Sequence, residues 1–199
     1  ELGMEEYEIR DFLLQTGQVK ERWEIYRLGT DSHNTLVIDQ TYQHPNSRAP
    51  IVRYRSTQEK AFAVANLSEA YPTTRGVMRG VAMLDREAVL IQDEIALEKK
   101  TDVAWGMLTD AEIELHGSTA ILTLDDAHLQ VRLLEPADGE FQLESCNPPE
   151  PQKQQPHIRK LALNLEPETN TTIGVLLTPY HNDEQAPTSA PDIEPLTRW

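Results

Sequence analysis

An all-β architecture of antiparallel strands, a sandwich or a barrel, is the fold class predicted by this 199-residue sequence. Three observations predict it. Short apolar or alternating runs succeed one another from Trp23 to Pro179, each bounded by turn residues. Their spacing, roughly 8–12 residues, is that of consecutive antiparallel strands. No convincing long helix lies between them, and a parallel sheet would need such crossovers.

In chain order the first run is WEIYRL (23–28), which leads into the turn Gly29-Thr30-Asp31-Ser32. NTLVID (34–39), PIVRYRS (50–56) and KAFAVANL (60–67) follow. VMRGVAML (77–84) and EAVLIQDEI (87–95) are joined by a tight hairpin at Asp85-Arg86-Glu87. Next come VAWGMLT (103–109), AEIELHG (111–117), TAILTLD (119–125) and HLQVRLLEP (128–136). Asp125-Asp126-Ala127 and Ala137-Asp138-Gly139 supply turns of the same sort. EFQLES (140–145), IRKLALNLE (158–166) and TTIGVLLTP (171–179) complete the set. Trp105, inside an apolar run, is expected to fill core volume. NPPEPQKQQPH (147–157) reads as a long exposed loop. The proline-rich stretch after Tyr180 is either flexible or an extended arm anchored by Trp199.

Composition narrows the function. The charge of −15, from 33 acidic against 18 basic side chains, repels polyphosphate and disfavours nucleic acid as a partner. An acidic polysaccharide would be repelled too, unless basic residues gather in a cleft. No apolar run reaches the length of a membrane span, and no signal peptide is visible. The chain begins with Glu1 rather than Met and reads as a fragment or processed form. The single cysteine, Cys146, excludes an internal disulfide and reads as a small buried hydrophobe or idle thiol. Asn66-Leu67-Ser68 and Asn170-Thr171-Thr172 match glycosylation sequons, triplets common by chance. There is no Gly-rich phosphate loop, nucleophile elbow or helical zinc motif. No two of the six histidines have the spacing of a local metal motif.

His33 and Asn34 stand out at the head of an apolar strand. Trp23, Tyr26 and Arg27 lie upstream, Gln43 downstream. Aromatic faces, a guanidinium and an amide are what a sugar carboxylate needs. The same residues also fit a plain structural reading, with Trp23 and Tyr26 in the core and Asn34 capping a turn. The residues alone leave both open.

ELGMEEYEIRDF, RWEIYRLGTDSHNTLVIDQTYQ, GVMRGVAMLDREAVLIQDEI and WGMLTDAEIELHGSTAILTLDDAHLQVRLLEP occur in an order and spacing that resemble the heparinase II/III-type polysaccharide lyases. The resemblance is to their C-terminal β-sandwich region and covers roughly residues 1–178. It implies an antiparallel β-sandwich domain over 1–180, with 181–199 as the tail. It also implies an N-terminal α-helical toroid elsewhere in the same full-length chain, with the active site between the two. Family members cleave acidic, uronic-acid-containing glycans by β-elimination, which implies an acidic polysaccharide partner and a periplasmic or secreted location. The elimination needs a base for the proton α to the carboxylate, a group that neutralises the carboxylate, and an acid for the leaving oxygen; Tyr or His can move both protons.

Some members bind zinc through histidines and an Asp in the sheet domain. The segment resembling His-Asn-Thr implies His33 as a ligand in the full-length protein. The ELG opening resembles a family DLG, which implies Glu1 as a second ligand, with Glu replacing Asp on a longer arm. The family's catalytic tyrosine falls at or near Phe12, which transfers no proton, and Tyr7 is the nearest substitute. Arg27 and Asn34 would face the uronate. The family's histidine-rich segment would lie just before residue 1. The expectation is therefore a lyase sheet domain, inactive or nearly so alone. The alternative is a non-catalytic carbohydrate-binding or structural module, in which Phe12 marks loss of the catalytic tyrosine.

Overall fold

A computed structural model describes residues 25–148, 150, 152, 154–181 and 188–199. Among these, twelve strands form two antiparallel sheets and no α-helix occurs. The strands are β1 (Leu36–Ile38), β2 (Ile51–Ser56), β3 (Lys60–Asn66), β4 (Gly76–Leu84), β5 (Ala88–Ala96) and β6 (Val103–Thr109). They continue as β7 (Glu112–His116), β8 (Thr119–Leu124), β9 (Ala127–Glu135), β10 (Gln142–Ser145), β11 (Arg159–Leu165) and β12 (Thr171–His181). The four-stranded sheet runs β1-β6-β11-β10, and the eight-stranded sheet runs β2-β3-β4-β5-β12-β9-β8-β7. The architecture is the all-β sandwich that the strand spacing and the resemblance imply.

Every expected run except the first forms a strand. In WEIYRL, Tyr26–Leu28 instead make a 3-10 turn, and Trp23 lies outside the described residues. The donors a strand would offer a neighbour are spent otherwise. Leu28 N–H donates to Ile25 O at 2.9 Å and Gly29 N–H to Tyr26 O at 2.9 Å. Tyr26 N–H donates to Gln152 Oε1 at 2.7 Å. That last bond also corrects the reading of 147–157 as wholly exposed. Gln152 is buried and Pro148 is buried beside it, while Gln154 Nε2 donates to Pro148 O at 2.6 Å.

The sandwich interior follows from alternation along each strand. Leu36, Trp105, Leu161 and Leu163 of the small sheet meet Val77, Ile95, Val131, Ile173 and Val175 of the large one. Trp105 is 3% exposed and packs against Phe141 with ring centroids 6.1 Å apart, so it is core. Set among these apolar neighbours is a buried ion pair. Arg79 on β4 lies opposite Asp93 on β5, with Nε to Oδ1 at 2.6 Å and Nη2 to Oδ2 at 2.8 Å. Burial pushes the Asp93 carboxyl up, and the guanidinium fork opposes that rise.

The outer face of the large sheet is covered differently. Residues 188–199 lie along it as an arm, burying Leu196 and Trp199 against Val64, Ala82, Leu90 and Leu176. Trp199 meets Phe62 edge-on at 6.0 Å, and Lys60 Nζ sits 4.6 Å from its centroid. Glu94 Oε1 accepts Leu196 N–H at 2.6 Å, and Gln92 Nε2 donates to Glu194 O at 2.9 Å. Gly80 is required here: a Cβ at that position would lie 2.3 Å from Leu196 Cδ2.

Candidate functional site

The second of two consecutive 3-10 turns, Thr30–Ser32, delivers the chain to β1, and His33 ends it by donating its N–H to Thr30 O at 3.1 Å. Asn34 is tied on both sides. Its Oδ1 accepts Leu108 N–H at 2.8 Å, and its carbonyl accepts Arg79 Nη1 at 3.1 Å. Thr35 O accepts Gly106 N–H at 3.2 Å. Behind it, Gln43 Nε2 donates to Tyr71 OH at 2.8 Å and Tyr71 OH donates to Leu36 O at 2.8 Å. The backbone around His33 is thus held by β6 on one side and, through the Arg79–Asp93 pair, by the large sheet on the other. The imidazole of His33 is left at the surface.

Two clefts meet at this histidine. One, of about 430 Å³, is lined by Ser32, His33, Asn34, Leu108, Thr109, Asp110 and Ile158. The other, of about 320 Å³, brings His33 together with Tyr42, Gln43, His44, Ser47 and Arg48 over an apolar wall that includes Leu67 and Ala70. No Asp or Glu lines this second cleft among the described residues. Carboxylates touch its lining from outside: Glu69 accepts the Arg48 backbone N–H at 3.1 Å, and Asp31 bonds Tyr42.

Tyr42 OH donates to Asp31 Oδ2 at 2.9 Å. Burial, and then that carboxylate partner, push the Tyr42 phenol up to about 12. Burial likewise raises Tyr26 and Tyr71. These tyrosines keep their protons at neutral pH, and Tyr42 and Tyr71 donate theirs to Asp31 and to the Leu36 carbonyl. The side chains lining the second cleft that can take up a proton are therefore the imidazoles of His33 and His44. Asp31, two residues before His33, gives its Oδ2 to Tyr42.

Of the residues expected from sequence, His33 and Asn34 come together in the first cleft. Arg27 is half-buried in the turn Tyr26–Leu28 and is not among the residues lining either cleft. Glu1, Tyr7 and Phe12 lie outside the described residues. Among the described residues no three His, Cys, Asp or Glu side chains converge as a metal cluster. The described residues therefore do not by themselves compose a zinc centre at His33. Both sequons are engaged: Asn66 Oδ1 accepts Ser68 N–H at 3.0 Å, and Asn170 Oδ1 accepts Leu97 N–H at 3.2 Å.

Tyr42, His44 and Arg48 were missed in sequence. The signal was TYQHPNSR (41–48), polar and directly after β1. What hid it is the reversal at Asp39 and Gln40, with φ of 56° and 52°, which turns the chain back beside residues 30–36. Two-residue reversals with positive φ are usually marked by Asn-Gly or Asp-Gly, and neither dipeptide is present here.

The fold has solved counterparts. Heparan sulfate lyase HepC from Pedobacter heparinus aligns with a TM-score of 0.65 at 12% identity, over 77% of this chain and 25% of that one. A heparinase III described as the BT4657 gene product aligns with a TM-score of 0.62 at 15% identity, over 75% of this chain and 24% of that one. The chain thus spans about a quarter of the length of these solved relatives. A search of curated proteins by sequence found no match. The family model described as Heparinase II/III-like, C-terminal matches residues 5–188. The chain therefore belongs to the heparinase II/III-like family and corresponds to its C-terminal β-sandwich region.

Proposed function

We propose that this domain forms one wall of an acidic-glycan cleft in a polysaccharide lyase, working outside the cytoplasm with an N-terminal domain of a longer chain. The observation that carries this reading is the cleft lined by His33, His44 and Arg48 and, among the described residues, by no Asp or Glu, in a protein of charge −15. Local basic charge is what lets an acidic surface hold a polyanion.

For β-elimination, Arg48 would pair with the uronate carboxylate, which makes the neighbouring C–H more acidic. A neutral imidazole of His33 or His44 would accept the proton α to the carboxylate, and the imidazolium so formed would return it to the leaving glycosidic oxygen. Tyr42, whose own proton goes to Asp31, would accept a hydrogen bond from a sugar hydroxyl. Asn34 lines the adjoining cleft, where its amide oxygen already serves Leu108. In this reading Tyr7 remains a proton-transfer candidate, and Glu1 and His33 remain zinc-ligand candidates for the full-length protein. Alone, the domain has one wall of the cleft and releases no unsaturated uronate product.

The test is calorimetric titration with a heparan sulfate hexasaccharide. Arg48→Ala and His33→Ala should each weaken binding about tenfold or more, with the unfolding midpoint nearly unchanged. Unchanged affinity in both variants would remove the cleft from the glycan path. Turnover by the domain alone would show that it needs no second wall.

A further inference from the structure

We propose that the outer face of the large sheet carries a second glycan site, built for an uncharged hexopyranosyl unit. The site is a groove of about 750 Å³ between the β4–β5 hairpin, the end of β12 and the start of the arm. Its lining falls into three groups. Leu84, Ala88, Leu176 and Pro191 make an apolar floor. Asp85, Arg86 and Glu87 stand on the hairpin rim. Tyr180 supplies the aromatic wall.

That wall is fixed in place. The Tyr180 ring stacks on His128, with centroids 5.0 Å apart and planes 24° from parallel. His128 Nδ1 in turn lies 2.9 Å from Thr123 Oγ1. Strand register puts Tyr180 opposite His128 and Thr178 opposite Gln130, so these four share the outer face. Gln130 is 8% exposed, and its buried Oε1 has no hydrogen-bond partner. The arm that closes the groove is held by Arg132, which donates to Thr188 O at 2.9 Å and to Ser189 O.

A pyranose suits this arrangement. One sugar face is a patch of C–H bonds that packs on an aromatic ring. Its rim is a row of hydroxyls that carboxylates and a guanidinium bind in pairs. The rim has two carboxylates against one guanidinium, so it repels uronate and sulfate. This is the opposite sign to the His33 cleft. The positions differ as well: the His33 loop is tied to the inner face through Arg79, and this groove lies on the outer face. The inference does not depend on the lyase reading.

The experiment is an NMR titration of the isotope-labelled 199-residue chain with cellohexaose and mannohexaose, and separately with a heparan sulfate hexasaccharide. At least one neutral hexaose should shift Tyr180, His128 and the 85–87 turn while leaving His33 and His44 in place. Tyr180→Ala should weaken that binding at least tenfold, and Glu87→Gln, a near-isosteric change at an exposed side chain, at least threefold. Neither variant should change the affinity for the heparan sulfate hexasaccharide. The proposal is overturned if neither neutral hexaose moves the groove signals, if their shifts map to the His33 cleft, or if only the sulfated hexasaccharide enters the groove. Should Tyr180→Ala fail to fold, unchanged affinity in Glu87→Gln and Asp85→Asn would overturn it as well. Loss of heparan sulfate binding alone would count against the lyase reading and leave this one standing.

Discussion

The two faces of the eight-stranded sheet are covered by unlike means. The inner face meets a second sheet, with aliphatic layers, Trp105 and a buried ion pair. Among the described residues the outer face meets only an arm, residues 188–199, held by two apolar anchors and a handful of side-chain bonds to its backbone. Sheet-on-sheet burial is continuous and cooperative, whereas a strap can detach locally without the rest unfolding. The two candidate sites inherit this difference. The His33 cleft stands on a backbone fixed by both sheets. The Tyr180 groove has one wall, the arm, that is free to yield to a ligand.

The comparison breaks most visibly at Arg79. Arg79→Ala would leave Asp93 buried without its partner and release the carbonyl of Asn34. Stripping one member from a buried pair costs about 3–5 kcal/mol, read as a lowered midpoint in urea. Replacing both, Arg79→Met with Asp93→Leu, should restore most of that loss because no stranded charge remains. If the double variant regains stability yet loses heparan sulfate affinity, the pair's value lies in placing the His33 loop. A single variant as stable as the parent would show that the inner face is not specified by this pair.

The outer face predicts a smaller and more local effect. At Gly80 an added methyl meets Leu196 at 2.3 Å and Trp199 at 2.8 Å, so the arm has to move. Overpacking of this kind costs about 1–3 kcal/mol. Because the arm can lift away, Gly80→Ala should show up as faster hydrogen exchange in 193–199 and on the outer amides of β2–β4. Uniform acceleration through β6 and β11 would mean that the two faces are coupled after all.

Much of this contrast was legible in the sequence. Period-two runs marked every strand from β1 to β12, and Trp199 was visible as an anchor for an extended arm. The Asp85-Arg86-Glu87 turn fixes Leu84 opposite Ala88, and counting back from it puts Arg79 opposite Asp93. The hairpin length thus contains the ion pair, although nothing local says that it is buried. WEIYRL misled because alternation alone cannot tell a strand from a turn whose donors are used by a distant glutamine. At the site, His33 and Asn34 were legible from their place before an apolar strand. Tyr42, His44 and Arg48 were not, because the Asp39-Gln40 reversal lacks the glycine that usually marks one.

The smallest expected effect sharpens the comparison at the His33 cleft itself. Tyr42 is held near its Asp31 partner, and its phenol is raised from 10.0 to about 12. A group whose folded pKa is raised contributes stability that is fully present below its unfolded pKa. That contribution is lost as pH climbs through the folded value. The window is therefore about pH 10–12, and the sign is a fall in stability with rising pH. The ring is partly exposed, so the change should be slight. Tyr26 and Tyr71, also raised by burial, contribute a common background that a difference measurement removes. Tyr42→Phe should shallow the loss of midpoint between pH 9 and pH 11.5 relative to the parent. Its alkaline absorbance titration near 295 nm should lack one late-ionising phenol. Parallel pH slopes for the two proteins would mean that the Asp31 bond does not hold Tyr42 in the cleft. The proposed sugar contact of Tyr42 beside His33 would then be withdrawn.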